Sequence, residues 1–283
     1  MARYGSRTRV STYTSAWMPT GDETPQNPPS IEMLLVGGGG SGGTGNNIFY
    51  PSNPSQSGGG GGGGGVYSSV AGNPSGGPGG AVAPVTAIAA GVTYTVTIGG
   101  SNTNSTFASP TISTITANAG GGAGGAASPG GAAGAYTGNA STYGGGAGAF
   151  GSPESSQGGG GGGATAAGKQ GAQYPTNYGQ GGAAITNTIR STSPTFPLQS
   201  FGGGGGGGEV PGRIPGNTPG GGYFGSGANG RVDTSPNSGI PGVCVIRYPD
   251  TYPLAGATTG SPEVQTIGGY RIYTFLASGS ITW

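Results

Sequence analysis

Apolar positions in this chain gather in a few short runs, separated by long stretches without apolar periodicity. Ile31-Glu-Met-Leu-Leu-Val36 follows Pro28-Pro29 and stops at Gly37. A short apolar run of this length, closed by glycine, predicts a buried strand. Val92-Thr-Tyr-Thr-Val-Thr-Ile98 and Thr111-Ile-Ser-Thr-Ile-Thr116 show period-two alternation rich in β-branched residues, which predicts a β-hairpin or two paired strands near 92–116. Gly242-Val-Cys-Val-Ile-Arg-Tyr248, Tyr270-Arg-Ile-Tyr-Thr-Phe-Leu276 and Gly279-Ser-Ile-Thr-Trp283 predict further strands towards the end. No segment has a helical period. Ala-rich Gly163–Gly168 is too short and too glycine-flanked to hold a helix.

These patterns divide the chain into three parts. Residues 1–30 are polar, with Arg3, Arg7 and Arg9 near the start and Pro25, Pro28 and Pro29 near the end, and are expected to form an extended arm. Residues 31–249 form a glycine-rich body, and residues 250–283 a C-terminal β segment. Within the body, glycine runs occupy 37–40, 58–65, 120–122, 144–146, 158–163, 202–208 and 220–222. The stretches between them are rich in Pro, Asn, Ser and Thr, which are turn residues.

Composition sharpens the question of what the runs do. Glycine supplies 72 of 283 residues and proline 23. Such a level without a strict triplet repeat ordinarily signals low complexity. Yet charged residues make up only 6%, the net charge is +1, and there are 14 Tyr, 7 Phe and 2 Trp. Disordered chains usually stay soluble through charge and lack aromatics. Two readings therefore stand. In one the runs are flexible linkers. In the other they are polyglycine II helices, left-handed, with three residues per turn and a rise of about 3.1 Å. Such a helix has no internal hydrogen bonds, so every N–H and C=O needs an external partner. Glycine pays the largest entropic cost on ordering. Dense bonding between neighbouring rods, in register with apolar strands, would have to offset it. The number of separate runs, the turn residues between them and the bracketing strands favour the bundle. The fold class expected is mainly β and irregular, with bundled polyglycine II helices bracketed by short β-strands and no significant α-helix. Loops on such a scaffold would display Asn46, Asn47, Phe49, Tyr50, Asn53, Tyr67, Tyr136, Tyr143, Tyr174 and Tyr178. Aromatic and Asn-bearing loops on a rigid support are suited to recognition.

Charge and chemistry narrow the function further. Lys169 and eight scattered arginines form no basic stripe able to neutralise phosphates, so nucleic-acid binding is not expected. No apolar stretch is long enough to span a membrane as a helix, and the N-terminal arginines have no apolar segment behind them, so no secretory signal is expected. Cys244 is the single cysteine, which excludes an internal disulfide and suggests a small core residue. The chain has no histidine. That removes Ser-His-Asp and Cys-His catalysis and the usual zinc sites. Asp22 and Glu23 are the only adjacent carboxylates, and convergence of Asp233, Asp250 and Glu263 has little support as a glycosidase pair. Gly163-Ala-Thr-Ala-Ala-Gly-Lys-Gln170 lacks the Ser or Thr that a phosphate loop needs after its Lys, and Gly-x-Gly-x-x-Gly matches arise by chance at this glycine content. Neither an enzyme nor a cofactor is expected.

The ordered motifs carry a resemblance. Ile31-Glu-Met-Leu-Leu-Val-Gly-Gly-Gly-Gly-Ser-Gly-Gly43 is similar to the start of glycine-rich domains in bacteriophage tail-fibre and virion proteins. Val92-Thr-Tyr-Thr-Val-Thr-Ile-Gly-Gly100 with Ser105-Thr-Phe107 resembles their internal hairpin, and Gly239-Ile-Pro-Gly-Val-Cys-Val-Ile-Arg-Tyr-Pro249 their returning strand. The tail, from Ala257-Thr-Thr-Gly-Ser-Pro262 through Gly269–Phe275 to Trp283, is similar to a C-terminal segment of marine and cyanobacterial phage proteins. The resemblance implies a structural protein on the external surface of a virion, a tail fibre or tail-tip adhesin. It would pack polyglycine II helices in layers and contact a host surface receptor, protein or glycan, through Asn47, Phe49, Tyr50, Tyr67, Tyr136, Tyr143, Tyr174 and Tyr178. Unlike such proteins, the chain shows no long shaft before its glycine body. Residues 1–30, with Arg3, Arg7 and Arg9, are the candidate virion anchor onto other virion proteins, and a mobile arm is the alternative. A capsid decoration or knob protein is the second reading, and an ice-binding polyglycine protein a third. By analogy with virion appendages the expected assembly is a homotrimer.

Overall fold

The computed structural model describes residues 27–45, 57–70, 73, 75, 82–125, 129–137, 158–170, 179–189, 200–205, 207, 224–231, 235 and 237–283. These residues form β-strands and non-strand segments, and none of them is helical. The chain is mainly β.

Apolar character on both faces marks the central strand. β1 (Ser30–Val36) pairs antiparallel with β9 (Val243–Pro249), with β2 (Val66–Ser68) and with β3 (Val85–Thr86). β12 (Tyr270–Phe275) lies on the far side of β9, and β11 (Glu263–Ile267) closes that edge. Successive side chains on a strand point to opposite faces. Met33 and Leu35 of β1 join one buried cluster, while Leu34 and Val36 join another. Both faces are covered, so the run reads as continuously apolar.

The layer over the first face is a five-stranded sheet. β4 (Thr93–Thr97), β5 (Ser105–Ser109) and β6 (Ile112–Ala117) follow one another as a meander, and β13 (Gly279–Thr282) and β10 (Ala257–Thr259) extend it beyond β4. Its strands bury one face only. Tyr94 and Val96 are fully buried between exposed threonines. The 92–116 region is therefore not a two-stranded hairpin. β4 and β6 each pair with β5, which lies between them. The 250–283 segment does not stand apart either, because it gives β11 and β12 to one sheet and β10 and β13 to the other. The second face of the central sheet packs on the short ribbon of β7 (Ile185–Thr186) and β8 (Ser200–Phe201), through Ile185, Ile189, Phe201 and Ala164.

Glycine segments leave or enter these strands at one end. Val36 of β1 lies opposite Val66 and Val243, and all three are followed or preceded at once by Gly37, Gly65 and Gly242. β6 runs on into 118–125, β8 into 202–205, and 179–184 leads into β7. Strand pairing thus sets the relative height of each glycine segment as it enters the body.

Candidate functional site

The run 58–65 lies at the centre of the glycine body, and its amides step round three neighbours. Gly60 and Gly63 donate to Gly159 and Gly162. Gly58, Gly61 and Gly64 donate to Arg231, Ala228 and Gly225. Gly62 and Gly65 donate to Gly121 and Asn118. All seven bonds are 2.7–2.9 Å long. Positions three apart thus address the same neighbour. The carbonyls of the run accept from three further segments: from Gly37, Gly40 and Gly43, from Gly131 and Gly134, and from Gly205. Six segments surround the run among the described residues. A Cβ at Gly62 would stand 1.9 Å from Ala132 O, and one at Gly64 2.0 Å from Gly37 O. Side chains have no room there, which is why the run contains glycine alone.

The register also sorts the segment ends. Gly43 bonds Gly59, Arg231 bonds Gly43, Gly42 bonds Asn237 O, Gly207 bonds Gly179 O, and Gly158 N–H donates to Ser57 Oγ. These contacts mark the end of the body remote from the sheets. Several of the chain stretches that join these ends fall outside the described residues. With them fall Asn47, Phe49, Tyr50, Tyr174 and Tyr178, as do Tyr143 and the arm residues Arg3, Arg7 and Arg9.

Two expected loop residues sit elsewhere. Tyr67 lies in β2 and is 4% exposed, and Tyr136, bridged to Ala117, is 6% exposed. Their rings meet edge to face with centroids 6.1 Å apart. Both belong to the main apolar cluster, and burial raises the Tyr67 phenol above its ordinary pKa. They are core aromatics, withdrawn from any surface contact, because each lies where a glycine segment meets a strand and not on a turn.

A polar group missed by the loop-based reading lies at the opposite end of the molecule. Glu32 of β1 and Arg247 of β9 are direct cross-strand partners, and Arg247 Nε donates to Glu32 Oε2 at 2.6 Å. The guanidinium also lies 4.5 Å from the Tyr270 ring centroid, a cation–π distance. The two side chains are only 14% and 21% exposed. They line a cleft of about 230 Å³ together with Ser30, Pro84, Pro249 and Tyr270. Part of the signal was present in the sequence: Glu32, Arg247 and Arg271 each stand alone in an apolar run, as a sheltered cross-strand pair requires, but the choice of Arg247 follows from the β1–β9 register.

Elsewhere the polar and aromatic groups serve the core. Tyr248 stacks on Tyr273 with centroids 5.9 Å apart, and its hydroxyl donates to Pro253 O at 3.0 Å. Burial raises the Tyr248 phenol, and its hydrogen bond with Tyr273 adds to the effect. Cys244 is buried as a free thiol, and burial pushes its pKa up strongly. Among the described residues no three His, Cys, Asp or Glu side chains gather as a metal group, and no helix is long and apolar enough to cross a membrane. Comparison with family models, with curated proteins and with solved structures returns no match to this chain.

Proposed function

We propose that this chain is a structural, non-catalytic protein of the external virion surface of a bacteriophage, a tail-fibre or tail-tip adhesin. Its glycine body acts as a stiff support and its turns contact the host cell. The observation that carries the reading is the three-residue step of the amides of Gly58–Gly65 round their neighbours. A helix with three residues per turn points successive amides about 120° apart, as polyglycine II requires. A rod so placed can bond to neighbours in several directions, and six surrounding segments provide for this. The body would then resist bending because successive amides of the run are tied to different neighbouring segments. Turns at the end remote from the sheets would present their side chains on a fixed frame, an arrangement suited to recognition.

Attachment is tested by competition. Purified protein added to host cells before the phage that carries it should lower adsorption in proportion to occupancy. Unchanged adsorption at saturating protein would remove the adhesin reading.

A further inference from the structure

The face of the central sheet that carries Leu34, Val36, Val243, Val245 and Ile272 changes character along its strands. Near the glycine segments it is apolar and packs on Ile185 and Phe201. Two residues further from the glycine on each strand, the same alternation brings Glu32, Arg247 and Tyr270 to that face. There the covering ribbon is replaced by a cleft of about 230 Å³, walled by Pro84, Pro249 and Tyr270. We propose that this cleft binds a single neutral sugar ring.

Elimination leads to that class. An anion would meet the Glu32 carboxylate, and a cation the Arg247 guanidinium, within one pair held at 2.6 Å. An apolar ligand would strip water from a sheltered ion pair and return no hydrogen bonds, which is costly. What fits is a neutral ligand with donors and acceptors side by side. Adjacent hydroxyls of a sugar supply both, donating to a carboxylate and accepting from guanidinium N–H groups. Its C–H face suits the two prolines and the tyrosine. A peptide strand fits less well. It would need a free sheet edge, but β1 is bonded to β9 on one side and to β2 and β3 on the other, and β9 is bonded to β1 and β12. The cleft is also smaller than the ~300–1,000 Å³ typical of drug-sized ligands, so it has room for one ring. This site stands independently of the host-attachment reading, since it lies at the ends of β1 and β9 remote from Gly37 and Gly242.

Saturation-transfer NMR on the intact 283-residue chain with D-glucose, D-galactose, D-mannose and N-acetyl-D-glucosamine tests it. At least one sugar should receive transfer and shift the Arg247 Nε resonance of the unmodified protein. The double variant Glu32→Gln/Arg247→Met, which removes both charges together, should weaken binding at least tenfold. Ser30→Trp, which fills the mouth, should do the same with the fold intact. The proposal is overturned by no transfer to any of the four sugars, by transfer that leaves the Arg247 signal unmoved, or by undiminished binding in the folded variants. Binding of an Asn-bearing tripeptide in place of every sugar would give the cleft to a peptide and overturn it equally.

Discussion

Gly62, inside the unbroken run 58–65, and Gly125, in Ala123-Gly-Gly-Ala-Ala127, have opposite surroundings in the fold. A Cβ on Gly62 would meet Ala132 O at 1.9 Å and its carbonyl carbon at 2.5 Å, both backbone atoms that cannot rotate away. A Cβ on Gly125 would find nothing nearer than Thr44 O at 3.8 Å, and Gly125 is not among the positive-φ residues. Gly62→Ala should therefore cost several kcal/mol, in the range reserved for forced repacking. Gly125→Ala should be neutral or stabilising by about 0.4–1 kcal/mol, through the entropy of the unfolded chain. Denaturant unfolding of the two variants checks this. If both were neutral, the runs would behave as linkers. The unbroken glycine run 58–65 was legible, but its place among six hydrogen-bonded neighbours was not. Which segments surround which depends on strand pairings far apart in the chain. The isolation of Glu32 and Arg247 in apolar runs was visible in the same way, but their pairing again rests on a long-range register.

Strands with continuous or alternating apolar runs were readable, and those with few or no buried apolar residues were not. β1, β4 and β9 each carry several large apolar side chains and fall where the pattern puts them. β5 is Ser105-Thr-Phe-Ala-Ser109, in which Phe107 is the only large apolar residue. It holds its place through two contacts that lie outside any local pattern. Phe107 stacks on Tyr94 with ring centroids 5.6 Å apart and is fully buried. Ser105 is buried too, and its hydroxyl accepts the Gly99 N–H at 3.0 Å. β10 and β11 stayed hidden for the same reason, since they are edge strands with mostly exposed or half-exposed side chains. Phe107→Ala should cost about 3–5 kcal/mol, the usual range for an emptied aromatic site. Ser105→Ala should cost about 1–3 kcal/mol, because it leaves a buried N–H unpaired. Thermal unfolding of each variant measures both, and a Phe107→Ala change under 1 kcal/mol would mean that β5 does not seal the layer.

At the scale of the whole molecule, stability should depend on pH in one direction only over the neutral and alkaline range. The chain has no histidine, so no side chain with an ordinary pKa titrates between pH 5 and 8. Among the described residues, burial raises the Cys244 thiol and the phenols of Tyr67 and Tyr248 above ordinary values of 9.0 and 10.0. These groups are neutral when protonated. The folded state therefore holds their protons more tightly than the unfolded state does. Their contribution is complete below the unfolded pKa values and is lost as pH rises from those values through the folded ones. Stability should be level from about pH 6 to 8 and should fall above about pH 9, as the unfolded thiol and phenols ionise first. Cys244→Ala should remove the earliest part of that fall while leaving the part due to the tyrosines. Cys244, Tyr67 and Tyr248 belong to one apolar cluster, which joins the central sheet to the five-stranded sheet. The same central sheet sends β1, β2 and β9 directly into Gly37, Gly65 and Gly242. Loss of the cluster at high pH should therefore release the glycine body in the same transition. Two separate transitions, one for the sheets and one for the glycine amides followed by NMR, would show that the strands do not hold the glycine segments in register.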